Sequence, residues 1–353
     1  MVGGFGSNWH SKDHALRKYC RLLEDFHKEF QEETAINDKG FCMRNLPGGH
    51  MTIDAEQLKN DRILNMGIRT FLEYDYSISD KGVTIINYRG NEKYVCIPSS
   101  IDGHIVTALG MNMFFGNDCI EEIDIPEGVQ KIGNGCFAGC SRLRTVHLPR
   151  TLKSIGDDSG YRTITKEERL QKLMSEFNIP REELESLDIK EEVIWEGNGA
   201  FAGSGIERIA IPDSVIFLQR ATFVHCKSLV SVFLGDGITE IKEATFSGCL
   251  NLHNVALPRY LKKIGEYAFS DCIRLVTLFC YDGLIEICDH AFEGAIMRDL
   301  FCPSSVQKIG NDIYDPYLNS YRSIHCPEKA FYVMGYAASQ GITWDDNYWF
   351  EER

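Results

Sequence analysis

The chain has 353 residues, 44% apolar and 25% charged, which excludes a disordered polypeptide and leaves room for one large domain or two ordinary ones. Its net charge of −14 argues against nucleic acid, since phosphate binding needs clustered Lys and Arg. No apolar run of about eighteen residues is present, so no membrane span is expected. The N-terminus, MVGGFGSNWHSKDHALRKYC, lacks the basic start and apolar stretch of a signal peptide, and as written the chain reads as cytoplasmic.

Residues 1–74 read as a helical extension. Leu16, Tyr19, Leu23, Phe26 and Phe30 are spaced by three and four, an apolar seam on a helix beginning near Ser11. A second helix is expected over Asp54 to Leu72, with the loop NLPGGH between them. The seam either packs against that second helix or the next domain, or serves dimerisation or a partner.

Beyond this extension the sequence repeats. Phe223, Phe246 and Phe269 recur at intervals of 23, as do Cys226, Cys249 and Cys272. Pro212, Gly235, Pro258 and Tyr281 keep the same period, and Pro126 and Pro149 share it earlier in the chain. Periods of 20 to 30 residues mark a solenoid, in which each unit buries its apolar face only against its neighbours. Upstream of each marker lies L-x-x-V-x-L, as in Leu252, Val255 and Leu257, whose alternating end suits a short strand with one buried face. The Pro ends that strand, because it donates nothing to a ladder. Each coil therefore reads as a parallel strand on one side and an irregular or short helical return on the other.

The period breaks once. Pro149 to Pro212 spans 63 residues, and aligning SIG directly to NGAF isolates an insertion from Asp157 to Gly197. Its TKEERLQKLMSEF has helical spacing with Thr165 as N-cap, and Pro180 opens a second helix. Twelve acidic residues against six basic ones make it an acidic helical hairpin, either a partner-binding element or a solvated excursion.

The stretch LPRYLKKIGEYAFSDCIRLVTL and its siblings resemble BspA-type leucine-rich repeats. GVTIINYRGNEKYVCIPSSIDGHIVTALG resembles the opening coil of that family, and IHCPEKAFYVMGYAASQGITW its closing helical cap. The resemblance implies an α/β solenoid, a right-handed superhelix with a parallel concave sheet, over residues 75–345. Within it lie the insertion at 157–197 and a cap at 327–345, followed by a tail at 346–353. Asn117 and Gly294 are read at the repeat Cys position and Tyr314 at the Phe position, so those coils are expected to be distorted. Interaction roles follow by resemblance, often adhesion at bacterial surfaces. That location requires a native signal absent from the sequence as written.

Stacking places equivalent residues about 4.8 Å apart, so the recurring Phe should form a buried column from Phe114 to Phe292. Cys140, Cys226, Cys249 and Cys272 then read as small buried hydrophobes, not as disulfides. No catalytic motif or phosphate loop is present, and no cofactor is expected. Cys136 and Cys140 form a C-x3-C pair without a second pair or His cluster, so no metal is expected.

The strand face remains as the candidate site. Residues four and two before each marker point out of the sheet. They run from Glu122 and Asp124 through Thr145, His147 and Arg208 to Phe233, Phe279 and Phe301. The three Phe are expected to be solvent-accessible at the centre of a surface for another protein or peptide, with the acidic pair as rim. The reading from another class is a regulatory or effector protein whose N-terminal helices act while the solenoid senses or targets. The sequence leaves the oligomeric state open.

Overall fold

The computed structural model describes residues 69–158, 161–164, 192–195, 198–314 and 323–346. The N-terminal helical seam, the Thr165 and Pro180 helices of the insertion, and the tail from residue 347 lie outside them. The fold is a parallel-sheet β-solenoid of about nine turns.

Successive coils hydrogen-bond along three sides, the strands of the first side falling into three sheets and those of the second into two. The first side carries the strands that precede the markers, from Tyr94–Cys96 and Glu122–Asp124 to Ser323–His325 and Thr343–Asp345. Their pairing is parallel, with Ser231 opposite Asn254 at the 23-residue interval and Phe279 opposite Phe301 at an interval of 22. The second side carries two-residue strands such as Lys131–Ile132, Glu240–Ile241 and Lys263–Ile264. The third is the Phe turn, where Phe246 N–H donates to the Ala268 carbonyl and Phe269 N–H to that of Ala291. The return is thus turn and short strand. The α/β expectation is corrected to a β-solenoid with one helix among the described residues, α1 at Phe331–Ser339.

The Phe turn enters the left-handed backbone region two residues after each Phe and, except before Phe201, two residues before it as well. Gly248 meets this without strain at φ 73°, but Ala244 does so at φ 54°. The rings form a column from Tyr88 through seven Phe to Tyr314, with centroids 5.0 to 6.0 Å apart. The Phe are at most 2% exposed. Tyr314 keeps its place as the ring that closes this column.

The structure also explains the choice of Cys three residues after the Phe. Cys140, Cys226, Cys249 and Cys272 donate their thiols to the carbonyls of Phe114, Phe201, Phe223 and Phe246 in the preceding coils, at 3.0 to 3.2 Å. A buried acceptor gains a partner from a side chain otherwise small and apolar. Burial pushes the thiols up, Cys140 to about 12 and Cys226 to about 11, so they remain protonated donors. No disulfide joins the described cysteines. One register assignment is corrected: buried Ala295 occupies the Cys position, while Gly294 takes the left-handed turn before it. A second core column, Cys280, Cys302 and Cys326, continues the row of strand-final Leu.

The solenoid runs through the insertion without a break. Phe137 stacks on Phe201 at 5.0 Å, and Ser154 pairs with Phe217 in a parallel ladder. The described part of the insertion is not helical. Tyr161–Ile164 and Glu192–Trp195 pair antiparallel, as the β-branched and aromatic residues in both segments favour. At its root Asp157 bonds Asn134 reciprocally, accepting from Nδ2 at 2.9 Å and donating its N–H to Oδ1 at 2.7 Å. Most of the helix expected over Asp54 to Leu72 lies outside the described residues, and its last part is instead a strand, Arg69–Phe71, which opens an antiparallel meander with Tyr74–Ser79 and Gly82–Tyr88. No helix among the described residues is long and apolar enough to cross a membrane.

Candidate functional site

The face strands project two rows of side chains outward, because alternate residues of a strand point to opposite sides. In the row two residues before the markers, Cys96, Asp124 and His147 are register partners. Ala210, Phe233 and Ala256 form a second set, and Phe279, Phe301, His325 and Asp345 a third. The flanking row is polar: Asn254 Nδ2 donates to Ser231 Oγ at 3.2 Å, and Ser323 and Thr343 share a hydroxyl contact at 3.0 Å.

All seven residues expected at the site lie on this face, but not as one patch. At the first end, His147 Nε2 is 3.1 Å from Glu122 Oε1 and 3.7 Å from Asp124 Oδ1, each side chain about one-third exposed. Arg208, on the first face strand after the insertion, is exposed. Phe233 and Phe301 are half-buried.

Phe279 is the correction. It is only 7% exposed, because its ring lies face to face on Phe301 at 4.1 Å. Phe301 in turn stacks on His325 at 4.3 Å. Rings one coil apart in parallel register meet face to face, so the row covers its own aromatic faces and presents edges to solvent.

The far end is a closed clamp. His325 Nδ1 is 2.6 Å from Asp345 Oδ1 and Nε2 is 2.9 Å from Asp299 Oδ1, with the imidazole side chain 5% exposed. Burial alone lowers the imidazole pKa, but the bonds to Asp299 and Asp345 outweigh it and raise it overall. With both nitrogens engaged, this His offers neither proton nor lone pair to a substrate. At the first end the Asp124 strand lies between the exposed Cys96 thiol and His147, so the thiol neighbours the Asp124 carboxylate and not the imidazole. That order does not activate a nucleophile.

Some face residues were missed. Tyr94, 66% exposed, and Cys96 stand four and two residues before Pro98, so the spacing rule reaches them once it is applied to the first coil. Thr343 and Asp345 precede no marker and carry no such signal. On the second side, Glu240, Lys263, Glu286 and Lys308 alternate in sign down the coils, with contacts of 3.7, 3.6 and 2.5 Å. Lys308 holds Glu286 below the usual carboxylate range, and the ladder is self-neutralised.

A model of the BspA type leucine-rich repeat region matches residues 107–194 and 196–320 in six copies, more than half of the chain. Among solved structures, the chain is similar to a leucine-rich repeat protein from Bacteroides ovatus, with 24% identity and a TM-score of 0.48. That match covers 73% of this chain and 65% of the other, so the chain spans less than two thirds of that relative's length. It is also similar to the T. pallidum leucine-rich repeat protein, with 23% identity and a TM-score of 0.38, over 57% of this chain and 88% of that one. A third is a leucine-rich repeat protein from Bacteroides capillosus, with 21% identity and a TM-score of 0.33, over 48% and 98%. None of the curated proteins searched matches this chain.

Proposed function

Because the chain belongs to the BspA type leucine-rich repeat family, whose members are generally interaction modules, we propose that it is a non-enzymatic binder of another protein or peptide through the strand face. The observation that carries this reading is the shared outward face of Glu122, Asp124, His147, Arg208, Phe233 and Phe301, held in the parallel register of consecutive coils. An acidic first end and aromatic edges further along suit an extended segment with basic groups at one end and apolar side chains at the other. Phe233 and Phe301 act as its anchors, since aromatic residues dominate interface energetics. The acidic pair governs association rate and salt dependence more than affinity. Phe279 supports the neighbouring ring from below and is withdrawn as a direct contact. Family members are often surface or secreted proteins, and the proposal places this binding in that setting.

Selection of peptides from a random display library against the full chain tests the reading. The selected peptides are expected to bind a chain beginning at residue 69, which keeps the opening strands, as tightly as the full chain. Peptides that bind only the full chain would move the activity to the N-terminal region.

A further inference from the structure

We propose that Glu122, Asp124 and His147 bind a zinc-class divalent metal ion at the first end of the strand face. One ligand atom from each residue lies within 4.8 Å of the other two. His147 Nε2 stands 3.1 Å from Glu122 Oε1 and 3.7 Å from Asp124 Oδ1. Ligands about 2.1 Å from a tetrahedral ion are about 3.4 Å from one another, so the imidazole nitrogen already stands near coordination-shell separation from both carboxylates. An ion enters by displacing the His147–Glu122 hydrogen bond, without moving a strand.

The backbone supplies the arrangement. Glu122 and Asp124 are two residues apart on one strand and share its outer face, and His147 is the register partner of Asp124 on the next strand. The other oxygen of Asp124, Oδ2, lies 3.7 Å from the Cys96 thiol on the preceding strand. That contact leaves Oδ1 turned toward the imidazole, the orienting role that outer partners of metal ligands play.

The donor chemistry selects the ion. Carboxylates alone would suit Mg²⁺ or Ca²⁺, whereas an imidazole nitrogen between two carboxylates favours Zn²⁺, Co²⁺ or Ni²⁺. Because the three side chains are about one-third exposed, the remaining coordination positions face solvent, where water completes the shell. The other histidine of the row shows why burial matters. His325 is 5% exposed with Asp299 and Asp345 on its two nitrogens, so it has no lone pair to give. The metal proposal concerns this chain's own residues and stands whether or not a partner occupies the face.

Calorimetric titration of the chelator-treated full chain with ZnCl₂ tests it, beside His147→Ala, Asp124→Asn and Glu122→Gln, each checked for native circular dichroism. The wild type is expected to bind zinc, each variant to lose one equivalent, and excess MgCl₂ or CaCl₂ to leave zinc binding unchanged. With Co²⁺ as probe, the visible absorption of the wild-type complex should be diminished in His147→Ala. No zinc bound by the wild type would overturn the proposal, as would equal stoichiometry in wild type and variants. Displacement by CaCl₂ or MgCl₂ would overturn the assignment to the zinc class.

Discussion

One stack of aromatic rings runs inside the coils of this solenoid and another on the strand face, and they do different work. The inner column extends unbroken from Tyr88 to Tyr314, and each of its Phe is sealed between the coils before and after. The outer stack is short: Phe279, Phe301 and His325, ending in two aspartates. Both arise from one rule, that equivalent residues of successive coils become neighbours. What separates them is which side of the strand or turn the residue occupies. The inner rings stabilise every coil, while the outer ones stabilise a few and keep an edge in solvent.

Breaking the inner column should have the largest effect. Phe246→Ala is expected to cost about 3–5 kcal/mol, as for a fully buried aromatic, and to broaden unfolding because adjacent coils share the ring. Chemical denaturation measures it, and a midpoint indistinguishable from wild type would remove the column from the core. The outer stack should respond more weakly. Phe279→Ser is expected to cost about 2 kcal/mol, from its buried area and its contact with Phe301. A loss as large as that of Phe246→Ala would erase the distinction between the two stacks.

The end of the outer stack should also be pH-sensitive. The folded pKa of His325 is raised above its unfolded value, the bonds to the two aspartates outweighing burial. The clamp therefore contributes fully below the ordinary imidazole pKa of about 6.5 and weakens as pH rises through the raised folded value. Hydrogen exchange of the strand Thr343–Asp345 should be slower at pH 6 than at pH 8, after correction for intrinsic rates. His325→Gln should abolish that difference; if the corrected difference persists in the variant, the clamp is not its source. The smallest effect is a gain. Ala244→Gly should stabilise by about 0.5–1 kcal/mol, since Ala244 holds a left-handed backbone at φ 54° that glycine adopts without strain. A denaturation midpoint lowered by the substitution would show that the turn depends on the Ala244 methyl group.

The inner column was legible in the sequence because its spacing is constant: Phe223, Phe246 and Phe269 declare it, and Phe201 rejoins it once the insertion is set aside. The face residues were legible by the same counting from Pro126 to Pro327. Their exposure was not, since the packing of Phe279 depends on which side chain stands one coil away. The Cys–carbonyl bonds also need the register of two coils. His325 and Asp345 lie 20 residues apart with no marker after the second, so nothing local joins them. The strands Tyr161–Ile164 and Glu192–Trp195 were hidden by the strong helical periodicity between them, although their composition favours β structure.

The central claim is that the strand face, and not the charged ladder on the second side, is where a partner binds. Its most direct measurement is the affinity of display-selected peptides for Phe233→Ser, with Lys263→Ala on the ladder as control. The account predicts at least about tenfold weaker binding to Phe233→Ser, the loss of an aromatic interface anchor, and unchanged binding to Lys263→Ala. Equal affinity for wild type and Phe233→Ser, or loss confined to Lys263→Ala, would contradict it.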